Sequence, residues 1–176
     1  MKIEQKIGVV GNGFVGGAVK FGFSPSVGCD AEVRVYDKNP NKSTHTLEET
    51  VNKSDFIFLS VPTPANEDSS INIDIITSAL DDINEVHNGK DNAILIRSTV
   101  IPGTTWALQT KYPNLNILFN PEFLTERSAN FDFINQSRSI FGGEKEHTKK
   151  VAELFRWRFG NSLSILETDF ESAELI

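Results

Sequence analysis

Residues 6–19 read "KIGVVGNGFVGGAV". A short β-branched apolar run ends in Gly11-x-Gly13-x-x-Gly16, and a segment with Val15, Ala18 and Val19 on one helical face follows. Strand, glycine turn and helix in that order make the phosphate-binding corner of a dinucleotide fold, because each glycine answers a different steric demand. Gly11 permits the tight turn, Gly13 lets the main chain approach a pyrophosphate, and Gly16 lets the helix pack close on the strand. The unpaired N–H groups at the helix start, near Phe14 and Val15, then face the anion along the helix dipole. A second run, "EVRVY" at 32–36, is closed by Asp37, 21 residues after Gly16. An acid there accepts hydrogen bonds from the adenosine ribose and repels a 2′-phosphate, so the expected cofactor is NAD rather than NADP. Lys38 beside it tempers that preference. A Gly-rich turn with a surface aspartate is the plain alternative, and it leaves the coincidence of strand, helix and acid unexplained.

Further runs of the same kind follow at 55–60 (DFIFLS), 93–98 (AILIRS), 116–119 (NILF) and 138–142 (RSIFG). They lack in/out alternation, which predicts strands buried on both faces, as in a parallel sheet. Between them lie helical segments. A Thr46-x-x-Glu49 capping box opens one near 47–53. Residues 71–86 carry the stripe Ile71, Ile75, Ile76, Ala79, Leu80 and Ile83. "PGTTW" at 102–106 starts another, and 145–158 forms a further one. Alternating β and α elements predict an α/β fold with a doubly wound, mostly parallel sheet, the Rossmann NAD-binding domain. The only linker-like stretch is "TPANEDSS" at 63–70.

Composition narrows the function. At 176 residues, 39% hydrophobic and 23% charged, the chain suits one soluble domain with a full core. A net charge of −7 without a basic run argues against a nucleic-acid partner. No apolar run reaches the roughly 18 residues of a membrane span. A single cysteine, Cys29, excludes an internal disulfide and a cysteine-based zinc site, and the expectation is a reduced, cytoplasmic protein. His45, His87 and His147 are scattered without ligand or triad spacing, so surface roles and no metal are expected.

Three more stretches each follow a predicted strand, at the carboxyl edge where open α/β sheets bind ligands. In "FLSVPTP", 58–64, two prolines fix φ on either side of Thr63. In "RSTVIPGTT", 97–105, Ser98 and Thr99 end a strand; their hydroxyls either serve a ligand or cap the next helix. In "NPEFLTERSA", 120–129, Glu122 and Glu126 share one face if a helical turn starts at Pro121. Two charges that close raise one pKa, which suits a proton-shuttling group; the other reading is two acids favouring a helix N-terminus through its dipole.

Together with the glycine fingerprint, these stretches resemble the NAD-binding domain of the UDP-glucose/GDP-mannose dehydrogenase family, and "TDFESAELI" at 168–176 resembles the start of that family's long central helix. The resemblance implies an NAD-binding domain over 1–168, the start of a linking helix over 169–176, and a substrate domain outside this chain. It implies oxidation of the C6 alcohol of UDP-glucose, or a similar sugar nucleotide, to the uronic acid with NAD. Val61, Pro62 and Thr63 would lie along the cofactor, with Ser98 and Thr99 at its nicotinamide end. Thr99 would help hold a catalytic water, Glu122 would handle the hydroxyl proton, and Glu126 would stand near the nicotinamide as a further catalytic group. Glu122 and the main chain of Phe123, Leu124 and Thr125 would meet the sugar nucleotide. The resemblance also leaves room for a homodimer in the full-length form. Two alternatives are a 3-hydroxyacid or 6-phosphogluconate type of dehydrogenase domain and a non-catalytic NAD-binding regulatory module.

Departures from the pattern are Arg127 and Ser69 at positions where the family carries glycine, and a short segment between Asp37 and the strand at 55. The family's nucleophilic cysteine, lysine and asparagine are expected beyond Ile176. Cys29 sits in a helix-to-strand connection at the opposite, amino edge and does not replace the first of these. The chain alone is therefore expected to bind cofactor without completing the oxidation.

Overall fold

The computed structural model describes residues 5–176. Strands β1 (Lys6–Val10), β2 (Glu32–Tyr36), β3 (Phe56–Leu59), β4 (Ala93–Ile96), β5 (Asn116–Phe119), β6 (Arg138–Gly142) and β7 (Ser164–Thr168) form one sheet in the order β2-β1-β3-β4-β5-β6-β7. β1 to β5 run parallel, β6 meets β5 antiparallel, and β7 follows β6 in parallel. The doubly wound, mostly parallel sheet is the one the sequence predicts. β7 was not predicted. "SILET" has no apolar run, and at the sheet edge Ser164, Leu166 and Glu167 stay exposed.

Helices cover both faces. α1 (Phe14–Gly22), α5 (Ala129–Ile134) and α6 (Lys145–Phe159) pack on one side, around Phe23, Phe58, Phe133, Phe141 and Phe155. Phe155 touches four other rings at centroid distances of 4.8 to 6.5 Å. Truncating such a side chain costs roughly 3–5 kcal/mol. α2 (Leu47–Asn52), α3 (Asp74–Val86), α4 (Thr104–Lys111) and α7 (Phe170–Glu174) lie on the other side and contribute Val51, Ile76, Leu80, Ile83, Leu108 and Ala173 to the second core. The capping box forms as predicted: the Thr46 hydroxyl accepts from the Glu49 N–H, and the Thr46 N–H donates to the Glu49 carboxylate.

Two helix expectations are corrected. The stripe over 71–86 begins its helix only at Asp74, because Ile71 pairs with Ala65 in an isolated bridge and the Asn72 side chain accepts from the Asp74 N–H. No helical turn starts at Pro121. The Leu124 N–H is taken by the Glu122 carboxylate at 2.7 Å and the Thr125 N–H by Asp132 at 2.9 Å. Side chains thus satisfy the backbone, and helix waits until Ala129.

The register positions the site. Val10 stands beside Tyr36 and Leu59, Leu59 beside Ile96, and Ile96 beside Phe119. The next residue of each strand, namely Gly11, Asp37, Ser60, Arg97 and Asn120, therefore lies on one carboxyl rim. From β1 the chain goes to β2 on one side and β3 on the other, and that switch point opens a crevice.

Candidate functional site

A cleft of about 530 Å³ opens on this rim. Its middle is the glycine turn. Gly11 has φ +91°, and a Cβ there would stand 2.3 Å from the Ser60 carbonyl oxygen. A Cβ on Gly16 would stand 1.9 Å from the Gly11 carbonyl oxygen, so α1 packs onto the turn only because that atom is missing. Gly13 is different: nothing lies within 4 Å of its built Cβ. The main chain is laid open there to the cleft, at the N-cap of a helix that has neither a capping side chain nor an acid in its first turn. Unclaimed N–H groups and bare backbone suit an anion such as a pyrophosphate.

At the β2 end, Asp37 is held by two main-chain donors. Its Oδ2 accepts from the Asn12 N–H at 2.7 Å and its Oδ1 from the Asn39 N–H at 2.8 Å. Tyr36, Lys38, Leu47, Ala79 and Asp82 line the cleft around it. Val61, Pro62 and Thr63 line the same cleft as Phe14 and Val15.

At the β4 and β5 end stand Arg97, Ser98, Thr99 and Glu122. The Ser98 hydroxyl donates to the Val61 carbonyl, tying the β4 loop to the β3 loop. Neither Ser98 nor Thr99 caps α4. Its N-cap is Gly103, at φ +90°, and the open N–H groups of Gly103 and Thr105 go to the Glu174 carboxylate of α7 at 2.6 and 2.7 Å.

Arg97 was not predicted as a site residue. It is 4% exposed, donates to the Asn120 side chain, and lies over the rings of Phe58 and Phe133 at 5.9 and 5.6 Å. Among the described residues no carboxylate forms an ion pair with it, and its Nε has no partner. Burial pushes the guanidinium down to about 10, while the charge of Glu122 acts the other way. It remains a cation at neutral pH. Asn120 in turn donates to the Ile140 carbonyl at 2.9 Å, so the buried cation and Asn120 tie the ends of β4 and β5 to β6.

Twelve predicted residues line this cleft: Gly11, Gly13, Phe14, Val15, Asp37 and Lys38 from the first half, with Val61, Pro62, Thr63, Ser98, Thr99 and Glu122 from the second. Five do not. Gly16 is buried behind the turn. Phe123 lies under the Arg138 guanidinium at 4.7 Å, Leu124 packs on the core, and Thr125 bonds to Ser128 and Asp132. Glu126 lines a second hollow, between α1 and residues 126–131, which shares only Gly13 and Phe14 with the cleft. The paired carboxylates expected from the four-residue spacing are therefore not formed; that expectation needed the helix that Glu122 and Asp132 pre-empt.

Cys29 is buried in the connection that leads to β2, where desolvation pushes its thiol up. His87 is half-buried rather than a surface residue, its ring bonded to the Lys90 carbonyl and the Asn92 side chain. Among the described residues no group of three or more His, Cys, Asp or Glu could hold a metal, and no helix is long and apolar enough to cross a membrane.

Residues 41–157 match the sequence pattern of the UDP-glucose/GDP-mannose dehydrogenase family, NAD binding domain. The chain is 32% identical over 139 residues to a UDP-glucose 6-dehydrogenase of Bacillus subtilis, covering 74% of this chain and 31% of that protein. It is 30% identical over 145 residues to that of Rickettsia felis, covering 80% and 32%. Among solved structures, a UDP-glucose dehydrogenase from Pyrobaculum islandicum superposes with a TM-score of 0.82 at 22% identity, covering 98% of this chain and 48% of that one. The chain thus spans about a third of the length of those relatives and about half of that solved chain.

Proposed function

We propose, for a chain that belongs to the UDP-glucose/GDP-mannose dehydrogenase family through its NAD-binding domain, that the rim cleft holds NAD for oxidation of the C6 alcohol of UDP-glucose, or a similar sugar nucleotide, to the uronic acid. Asp37 receives the adenosine ribose hydroxyls. Gly13 and the first N–H groups of α1 receive the pyrophosphate, and Val61 to Thr63 flank it. The nicotinamide end lies toward Ser98 and Thr99. When bound, NAD would accept a hydride, and the four-electron conversion of alcohol to acid would take two such transfers, to two NAD in succession.

The protein's own part at that end falls to Thr99 and Glu122. Glu122 accepts the hydroxyl proton, and Thr99 holds a water. Arg97 supplies a fixed positive charge beneath them. Glu126 belongs to the neighbouring hollow and reaches the nicotinamide only across the lip formed by Gly13 and Phe14. Phe123, Leu124 and Thr125 offer main chain to the sugar nucleotide. In the same reading, 1–168 is the cofactor domain and 169–176 begins a linking helix. The full-length enzyme is then a cytoplasmic homodimer.

One observation carries this reading: a single cleft gathers Gly13, Asp37, Thr63 and Thr99 from four different strand ends. Calorimetric titration of NAD, NADP and UDP-glucose into the protein tests it. NAD is expected to bind, and NADP more weakly. If none of the three binds, the reading fails.

A further inference from the structure

Lys38 is the cation next to the ribose-binding acid, and a lysine there is the obvious partner for a 2′-phosphate. Its ammonium does not face Asp37. It reaches across the cleft to α3, 3.4 Å from the Ser78 hydroxyl and 3.9 Å from Asp82 Oδ2. Lys38 and Asp82 both line the cleft that holds Asp37. Asp37 cannot turn aside, since both its oxygens accept main-chain N–H groups.

We propose that Asp82 is a positioning residue for cofactor choice, holding the Lys38 ammonium on α3 and thereby denying a 2′-phosphate its cation. The inference rests on the reading of the cleft as an NAD site. Asp82 sits in the middle of α3, where it caps nothing, and its side chain is 44% exposed, so its place in the core does not explain it. Lys42 is the other lysine that lines the cleft, with its carbonyl bonded to the Asn12 side chain. A lysine stem is flexible enough to swing once released.

The test is a titration of NAD and NADP, at low ionic strength, into the wild type, Asp82→Asn, Lys38→Met and the double variant, followed by the Asn12 and Gly13 amide resonances. From the usual worth of exposed charge pairs, Asp82→Asn should tighten NADP about two- to fivefold and leave NAD within about 1.5-fold. Compared with Lys38→Met alone, the double variant should show no gain in NADP affinity. Raising the salt to about 0.5 M should erase it as well. An unchanged NADP affinity in Asp82→Asn, an equal gain for both dinucleotides, or a gain that survives without Lys38 would overturn the proposal. Failure of the wild type to bind NAD would instead contradict the NAD reading itself.

Discussion

The main-chain N–H of Asn12 donates to Asp37 Oδ2 over 2.7 Å. The glycine turn after β1 and the acid after β2 are thus one unit, and the carboxylate is aimed before any ligand arrives. Asp37→Asn keeps an oxygen for one of the two N–H donors and removes the charge. It should cost about 1 kcal/mol in urea unfolding and bring NAD and NADP affinities close together. A variant that still strongly prefers NAD would show that Asp37 does not set the choice.

Gly13 and Gly16 differ in what an added methyl meets, and their alanine variants should differ accordingly. Gly16→Ala drives a Cβ into the Gly11 carbonyl and should lose about 3 kcal/mol or more, within the range of severe core strain. Gly13→Ala meets no neighbour, so its melting temperature should barely move. Its methyl group would fill the approach kept for the pyrophosphate, and NAD binding should fall by at least about tenfold, the equivalent of roughly 1.4 kcal/mol. Thermal melts beside NAD titrations separate the two effects.

Glu174 gives α4 the N-terminal cap that its own sequence lacks. Removing it in Glu174→Ala leaves two main-chain donors unpaired and should cost about 1–2 kcal/mol in urea unfolding. Glu174→Gln should recover part of that loss. If Glu174→Ala is as stable as the wild type, the contact contributes nothing.

Asp132 organises the loop that carries Glu126. The Thr125 N–H, then the Ser128 hydroxyl, hold its carboxyl below the usual carboxylate value. A carboxylate depressed by folding contributes stability above its unfolded value and loses it as pH falls through the folded one. The Thr125 amide resonance should therefore titrate with its midpoint below the usual carboxylate value. A midpoint at or above the usual carboxylate value would contradict the bond.

Much of this was legible in the sequence because it is written locally. β1 and β3 to β6 read as largely apolar runs, since burial on both faces leaves little room for polar alternation. The glycine turn and Asp37 carry their spacing with them. What escaped detection depends on tertiary neighbours. β7 survives as a polar edge strand by pairing with β6. Arg97 hides inside "RSTV", because Phe58, Phe133 and Asn120, which make it a buried cation, are distant in sequence. Glu126 stands apart from Glu122 because a four-residue spacing means one face only on a helix, and this segment is not one. The missing glycines also separate: Arg127 is not among the positive-φ residues, whereas Ser69, at +66°, holds the left-handed backbone its family position favours.

A crystal structure of the protein grown with NAD tests the central claim most directly. The account predicts the adenosine ribose on Asp37, the pyrophosphate over Gly13 and the start of α1, and the nicotinamide beside Thr99 and Glu122. A dinucleotide bound in the hollow between α1 and residues 126–131, with the rim cleft empty, would contradict it.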